Sequence, residues 1–258
     1  MRRLLIRPGA IGDVIVSLPA LEFLKADYTE VWVPSAVVPL IQFADKVVSL
    51  AATRIDMVGV GDLPLPDGFA ERLRAFDEVV SWYGSNRETL STLHPRCVFF
   101  KALPREDWTA HAGDFYAEQV GAPLGLTARI AVKPNVARET IAIHPFSGSA
   151  RKNWPLASYQ ALAEQLPLPV EWAQDRFDDL GDLAEWLAGA RLYIGNDSGI
   201  THLAAAVGVP TLAIFVDSDP RVWAPRGASV LRNPELTEVL AEANRLVASS
   251  ERSVYARR

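Results

Sequence analysis

Short apolar, β-rich runs alternate along this chain with stretches whose apolar positions recur every three or four residues. Leu4–Arg7, Val31–Val33, Val47–Leu50, Val79–Trp82 and Val98–Phe100 read as strands, several of them flanked by Gly or Pro. Between them Val14–Lys25, Ala36–Phe43 and Phe69–Phe76 carry helical spacing, and Pro19 predicts a kink or a late start in the first of these. Across 121–139 the periodicity lapses among Pro123, Gly125 and Pro134, which makes this stretch the linker candidate. The alternation then restarts: strand Ile141–Ile143, helix Leu156–Leu166, strand Val170–Trp172, helix Asp182–Ala188, strand Leu192–Ile194, helix Ile200–Val207, strand Thr211–Phe215. A last helix covers about 234–248. Strands alternating with helices predict parallel sheets covered on both faces. The expected organisation is an α/β domain over 1–125, a second over 126–235, and a terminal helical segment over 236–258.

Composition narrows the class. The 258 residues are 49% hydrophobic and 22% charged, ordinary values for a globular protein with one large core or two modest ones. A formal net charge of −5 supplies no basic field for nucleic acid, so no nucleic-acid partner is expected. The single Cys97 allows no internal disulfide and fits a reducing compartment. No apolar run approaches the ~20 residues needed to span a bilayer. Arg7, Pro8 and Asp13 interrupt the apolar start, against a signal peptide. The expectation is a cytoplasmic protein.

Three strand-turn-helix segments carry the candidate chemistry. In Leu192–Pro210 a buried strand runs into Asn196-Asp-Ser-Gly-Ile-Thr-His202. Asp197 and Ser198 are good N-cap types, and Gly199 admits a close neighbour. The free N–H groups of the first turn, with the positive end of the helix dipole, make a phosphate site, and His202 lies one turn in. The chain opens with a similar unit, Leu4–Leu21, holding Gly9, Gly12 and Asp13. A third, Ile141–Pro155, runs a strand into a Ser/Gly loop with Arg151 and Lys152.

In this order the three resemble the ADP-heptose:lipopolysaccharide heptosyltransferase family. The signature pieces are Gly12-Asp13, the stretch from His144-Pro145 through Lys152 to Trp154-Pro155, and Asp197-Ser-Gly-Ile-Thr-His202. The resemblance implies a GT-B fold, two Rossmann-like α/β domains facing across a cleft, with the last helix packing back toward the first. It implies an inverting, metal-independent glycosyltransferase. The donor would be a nucleoside-diphosphate sugar, ADP-heptose in the family. The acceptor would be a lipopolysaccharide inner-core sugar or related glycan, reached at the inner face of the inner membrane with peripheral contact. No cofactor is implied. The chain departs from the family after Gln174, where it reaches Asp182 without the relatives' longer glycine-rich loop. A nucleotide-sugar-binding protein of the same fold without transfer is therefore the alternative. A dinucleotide enzyme fits poorly, because Gly9-Ala-Ile-Gly12 lacks the full G-x-G-x-x-G spacing.

On the resemblance Asp13 is the general base, although a carboxylate there also serves as an ordinary N-cap. Lys152 aligns with the family's phosphate-binding lysine and Ser147 and Gly148 with its small polar contacts, whereas a loop lysine would otherwise be solvated. Ser198, Gly199, Ile200 and Thr201 would offer backbone N–H groups and His202 a hydrogen bond, although His202 also suits a core position. A carboxylate would repel a diphosphate, so Asp197 is expected to cap the turn. His144 is expected to support its loop and Arg151 to be solvated. The acceptor would meet Gly12, Arg87 and Lys101, within a stretch where Arg87, Arg96, Lys101 and Arg105 face only Glu88. Asp217 and Asp219 have metal-site spacing, but Ser218 and Pro220 beside them favour a solvated turn, and no metal is expected.

Overall fold

The computed structural model describes residues 1–133, 136–173, 177 and 179–255, the stretch 250–255 by its backbone alone. Pro134 of the linker and the shortened loop at 174–178, apart from Phe177, lie outside the described residues. The chain forms two compact units, one of Met1–Trp108 with Ala112–Leu126, the other of Thr109–His111 with Thr127–Arg258.

The first unit contains β1 (Arg2–Ile6), α1 (Ile11–Phe23), β2 (Tyr28–Val33), β3 (Lys46–Ser49), α2 (Leu50–Thr53), α3 (Phe69–Arg74), β4 (Glu78–Ser81), α4 (Arg87–Leu93), β5 (Cys97–Phe99) and α5 (Ala112–Val120). Its strands are all parallel, in the order β3-β2-β1-β4-β5. Leu4, Leu5 and Ile6 are fully buried because β1 lies mid-sheet with both faces covered, which is why it reads as an unbroken apolar run. Leu4, Ile6, Trp32, Phe69, Leu73 and Val79 share one core. Helix α1 begins before Val14, so Pro19 sits inside it and marks no late start. The stretch predicted as a helix at Ala36–Phe43 is a 3-10 turn, Ser35–Leu40, with Pro39 within it.

The second unit contains β6 (Ile141–His144), α6 (Leu156–Ala163), β7 (Val170–Trp172), α7 (Leu180–Ala188), β8 (Leu192–Asn196), α8 (Gly199–Ala206), β9 (Thr211–Phe215), α9 (Pro220–Trp223), β10 (Ser229–Arg232) and α10 (Leu236–Tyr255). This sheet is also parallel, ordered β10-β9-β8-β6-β7. Its core joins Ile141, Ile143, Ile194, Leu212 and Ile214 to Trp154, Tyr159 and Leu162. Helix α10, expected to turn back toward the first domain, buries its stripe of Val239, Ala243 and Val247 in this second core.

Each sheet has a topological switch point, where successive connections leave in opposite directions along the sheet and open a crevice at the strands' carboxyl ends. In the first it lies between β1 and β4, in the second between β6 and β8. The three sequence segments follow β1, β6 and β8.

Candidate active site

In the second unit the loops after β6 and β8 are tied together by one side chain. Asn196, fully buried at the end of β8, accepts from the Trp154 N–H (2.9 Å) and the Tyr159 hydroxyl (3.0 Å) and donates to the Pro145 carbonyl (2.6 Å). Each atom of its carboxamide is satisfied across the switch point, so the two loops hold a fixed spacing. Trp154 packs edge-on against Tyr159 with ring centroids 5.0 Å apart and starts the chain into α6.

Ser198 caps α8, its side chain accepting from the Thr201 N–H at 3.3 Å. Asp197, expected as the cap, has another role. Its carboxylate accepts from Lys152 Nζ at 2.7 Å and from the Ser218 hydroxyl, while Asp197 is only 6% exposed. A buried carboxylate needs such partners, because desolvation costs more than one neutral contact returns. Lysine has three N–H donors, so one contact to Asp197 leaves two for an anion. The pair thereby aims Lys152 and cancels the repulsion expected of Asp197.

Of the N–H groups at the start of α8, that of Thr201 is taken by Ser198, and its hydroxyl bonds the Asn196 carbonyl. Thr201 is fully buried. Gly199 and Ile200 occupy the first two positions of the helix, whose N–H groups have no partner within it. Ser147 lies in the facing loop, but its hydroxyl is 2.8 Å from the Ser149 carbonyl and 2.7 Å from Asn153 Oδ1, so its proton is committed inside the loop. Gly148 is exposed, with open space where a Cβ would stand.

His202 is 6% exposed on α8. Burial pushes its imidazole down to about 4, Asp197 pulls the other way, and His111 and Lys152 push it down further. It is therefore neutral at pH 7 and presents one N–H donor without adding charge.

In the first unit Asp13 stands in the first turn of α1. It is not the N-cap: that position is Ala10, and Asp13 Oδ2 reaches back to accept from the Ala10 N–H at 3.1 Å. The carboxylate thus closes half a capping box and stays half-exposed. Gly12 lies beside it in the same turn, and Gly9 shapes the approach. At φ +129°, a Cβ on Gly9 would fall 3.2 Å from Arg7 Nη1 and 3.3 Å from Asp13 Oδ2, so only glycine fits.

Lys101 and Arg105 line an open cavity of about 360 Å³ at the carboxyl end of β5, floored by Phe99, Phe100, Trp108 and Phe115. Arg87 joins this cluster from α4 by stacking on Phe99, its Cζ 5.1 Å from the ring centroid. Asp219 caps α9 and pairs with Arg221 at 2.7 Å, while Asp217 lies 3.6 Å from Arg151, which is 83% exposed. Among the described residues no group of three or more His, Cys, Asp or Glu is placed to hold a metal ion.

The sequence model of Glycosyltransferase family 9 (heptosyltransferase) matches residues 178–244, which contain the β8–α8 turn. Lipopolysaccharide heptosyltransferase 1 of Pseudomonas aeruginosa is 28% identical over 171 residues, 65% of this chain and 39% of that protein's length. Over these stretches the chain is similar to glycosyltransferase family 9. Two solved E. coli structures show the GT-B fold: ADP-heptose lps heptosyltransferase II (TM-score 0.75, 17% identity) and heptosyltransferase WaaC with ADP (0.68, 18%). Each aligns with 97% of this chain and 100% of its own. A family 9 protein from Veillonella parvula aligns with 99% of this chain at TM-score 0.67.

In this chain, sequence reasoning found the turns and missed the residues that brace them. Asn196 had a signal, a buried-type strand ending in a polar residue just before the Asp-Ser-Gly turn. Arg7 had one too, a charge closing the apolar run of β1, but it was read only as an interruption. Ser218, in the loop after β9, had none.

Proposed function

We propose that this chain is an inverting, metal-independent glycosyltransferase that moves a sugar from a nucleoside diphosphate to a glycan hydroxyl. The observation that carries this reading is the Lys152–Asp197 pair beside the open first turn of α8, at the switch point of a parallel sheet. Such an arrangement suits a diphosphate that gains charge as it leaves. The acceptor oxygen attacks the anomeric carbon from the face opposite the diphosphate, and the carbon–phosphate oxygen bond breaks with its electron pair on the diphosphate. The hydroxyl proton passes to Asp13. Lys152, the Gly199 and Ile200 N–H groups and neutral His202 stabilise the leaving group by fixed dipoles and charge.

The finer assignments follow the relatives. The names of the similar heptosyltransferases support ADP-heptose as donor and a lipopolysaccharide core sugar as acceptor. The Lys101–Arg105 cavity, with Arg87 beside it, suits an acceptor that offers a sugar face to aromatic rings and anionic groups to cations. A lipid-linked acceptor would bring the protein to the cytoplasmic face of the inner membrane. No described helix is long and apolar enough to cross one.

Transfer from ADP-heptose to a core-oligosaccharide acceptor, followed in the presence of EDTA, tests the reading. Turnover unaffected by the chelator is expected. Activity lost with EDTA and restored by Mg²⁺ would overturn metal independence, and donor binding without turnover on any acceptor would leave a nucleotide-sugar-binding protein.

A further inference from the structure

Arg7 is the one fully buried cation in the first core among the described residues, at 0% exposure. Elsewhere in that unit the buried carboxylate of Glu30 is paired directly, with Arg72 at 2.5 Å and the Trp32 indole at 2.7 Å. Arg7 has no such partner. Its Nε donates to Ser17 Oγ at 2.9 Å, Nη2 to the Asp13 carbonyl at 3.0 Å and Nη1 to the Pro8 carbonyl, while Cζ lies 4.8 Å from the Tyr116 ring centroid. All of these acceptors are neutral. Burial pushes the Tyr116 phenol up to about 12, so it is no counter-charge either, and its hydroxyl donates to the Ala102 carbonyl at 3.0 Å. Burial also lowers the guanidinium, and Tyr116 and Asp13 oppose that effect. The nearest formal negative charge is Asp13, across the gap that Gly9 leaves open.

The guanidinium fork therefore spans both sides of the β1–α1 turn. It holds the loop at Pro8 and the first helical turn at Asp13, and a planar five-donor group is the side chain that can do this. We infer that Arg7 is a positioning residue: it fixes the Asp13 carboxylate from behind and is charge-coupled to it. The inference rests on the reading of Asp13 as the base for the acceptor hydroxyl, and on nothing in the donor loops.

The test uses the full chain with Arg7→Lys, Arg7→Met, Asp13→Asn and the Arg7→Met/Asp13→Asn double variant. Arg7→Lys keeps the charge and loses the fork. It should lower kcat roughly tenfold or more, since small misplacements of a reacting group are costly, while KM and ADP affinity stay within about twofold. An equal loss in ADP affinity, or no loss in kcat, would overturn the positioning role. Melting temperature reads the coupling without any activity, so it stands even if no transfer is found. Asp13→Asn should lower it clearly in the Arg7 background and much less in the Arg7→Met background. Equal drops in both, or an Arg7→Met chain that stays unfolded with or without Asp13→Asn, would leave only packing and overturn the inference.

Discussion

The β1–α1 and β8–α8 turns use the same backbone device to opposite ends. In the first, the helix start is occupied by its own anion: Asp13 turns back onto the Ala10 N–H, and Arg7 is buried behind it. In the second, a neutral Ser198 caps one N–H, the carboxylate has moved one residue earlier, and Lys152 neutralises it from another loop. The first helix end therefore displays a carboxylate, while the second leaves N–H groups free at its first turn. The placement of one carboxylate, inside the first turn or just before the cap, decides which chemistry a strand-turn-helix can serve.

Breaking the first turn should have the largest effect. Asp13→Asn preserves an acceptor for the Ala10 N–H and removes the group that would take the proton in the proposed transfer. Turnover should fall by about 10²–10⁴, with ADP affinity unchanged. Single-turnover transfer beside a calorimetric titration of ADP checks both. Wild-type transfer by this variant would make Asp13 a capping residue only.

The second turn has an acid-sensitive member. In the folded protein His202 stays neutral down to about pH 4, whereas an unfolded imidazole takes a proton near 6.5. The associated stability is intact above about pH 6.5 and falls as pH drops toward 4, because only the unfolded chain binds the proton across that window. The loss should reach on the order of 3 kcal/mol. Urea denaturation at several pH values should show that slope in the wild type and a flatter one in His202→Gln. Identical slopes would place the acid sensitivity elsewhere.

The two turns also differ in how much of them the chain discloses. Central strands were legible because burial on both faces writes an unbroken apolar run, as at Leu4–Ile6 and Leu192–Ile194. Helices α4 and α5 and edge strand β10 were not found: Arg87–Leu93 and Ala112–Val120 are short, and Ser229–Arg232 is only half-buried. The turns themselves were visible in Gly12-Asp13 and Asp197-Ser-Gly. Their bracing was not, because Lys152 and Asp197 are 45 residues apart and Asn196 reaches 51 residues back to Pro145. Local pattern carries no register for such contacts. The capping roles of Asp13 and Asp197 were misplaced for a related reason: Asp and Ser are both good caps, and only geometry decides between neighbours.

The smallest effects come from the cations of the second turn, and there the contrast lies between two adjacent residues. Lys152→Ala removes the cation that would meet the diphosphate in the proposed transfer and leaves Asp197 with only Ser218 to offset its burial. ADP binding should weaken by roughly 1.5–3 kcal/mol. Arg151, one residue earlier, is 83% exposed and 3.6 Å from an Asp217 that is itself 48% exposed. A solvated pair at that distance is worth little, and Arg151→Ala should leave ADP affinity within about twofold of wild type. Calorimetry on the two variants in one buffer reads the difference directly. A comparable loss from both would mean that a diffuse positive field attracts the nucleotide, and raising salt would then weaken the wild type strongly. A loss confined to Lys152 is what a cation oriented by Asp197 requires, because the orientation, and not the count of positive charges, is then what the diphosphate meets.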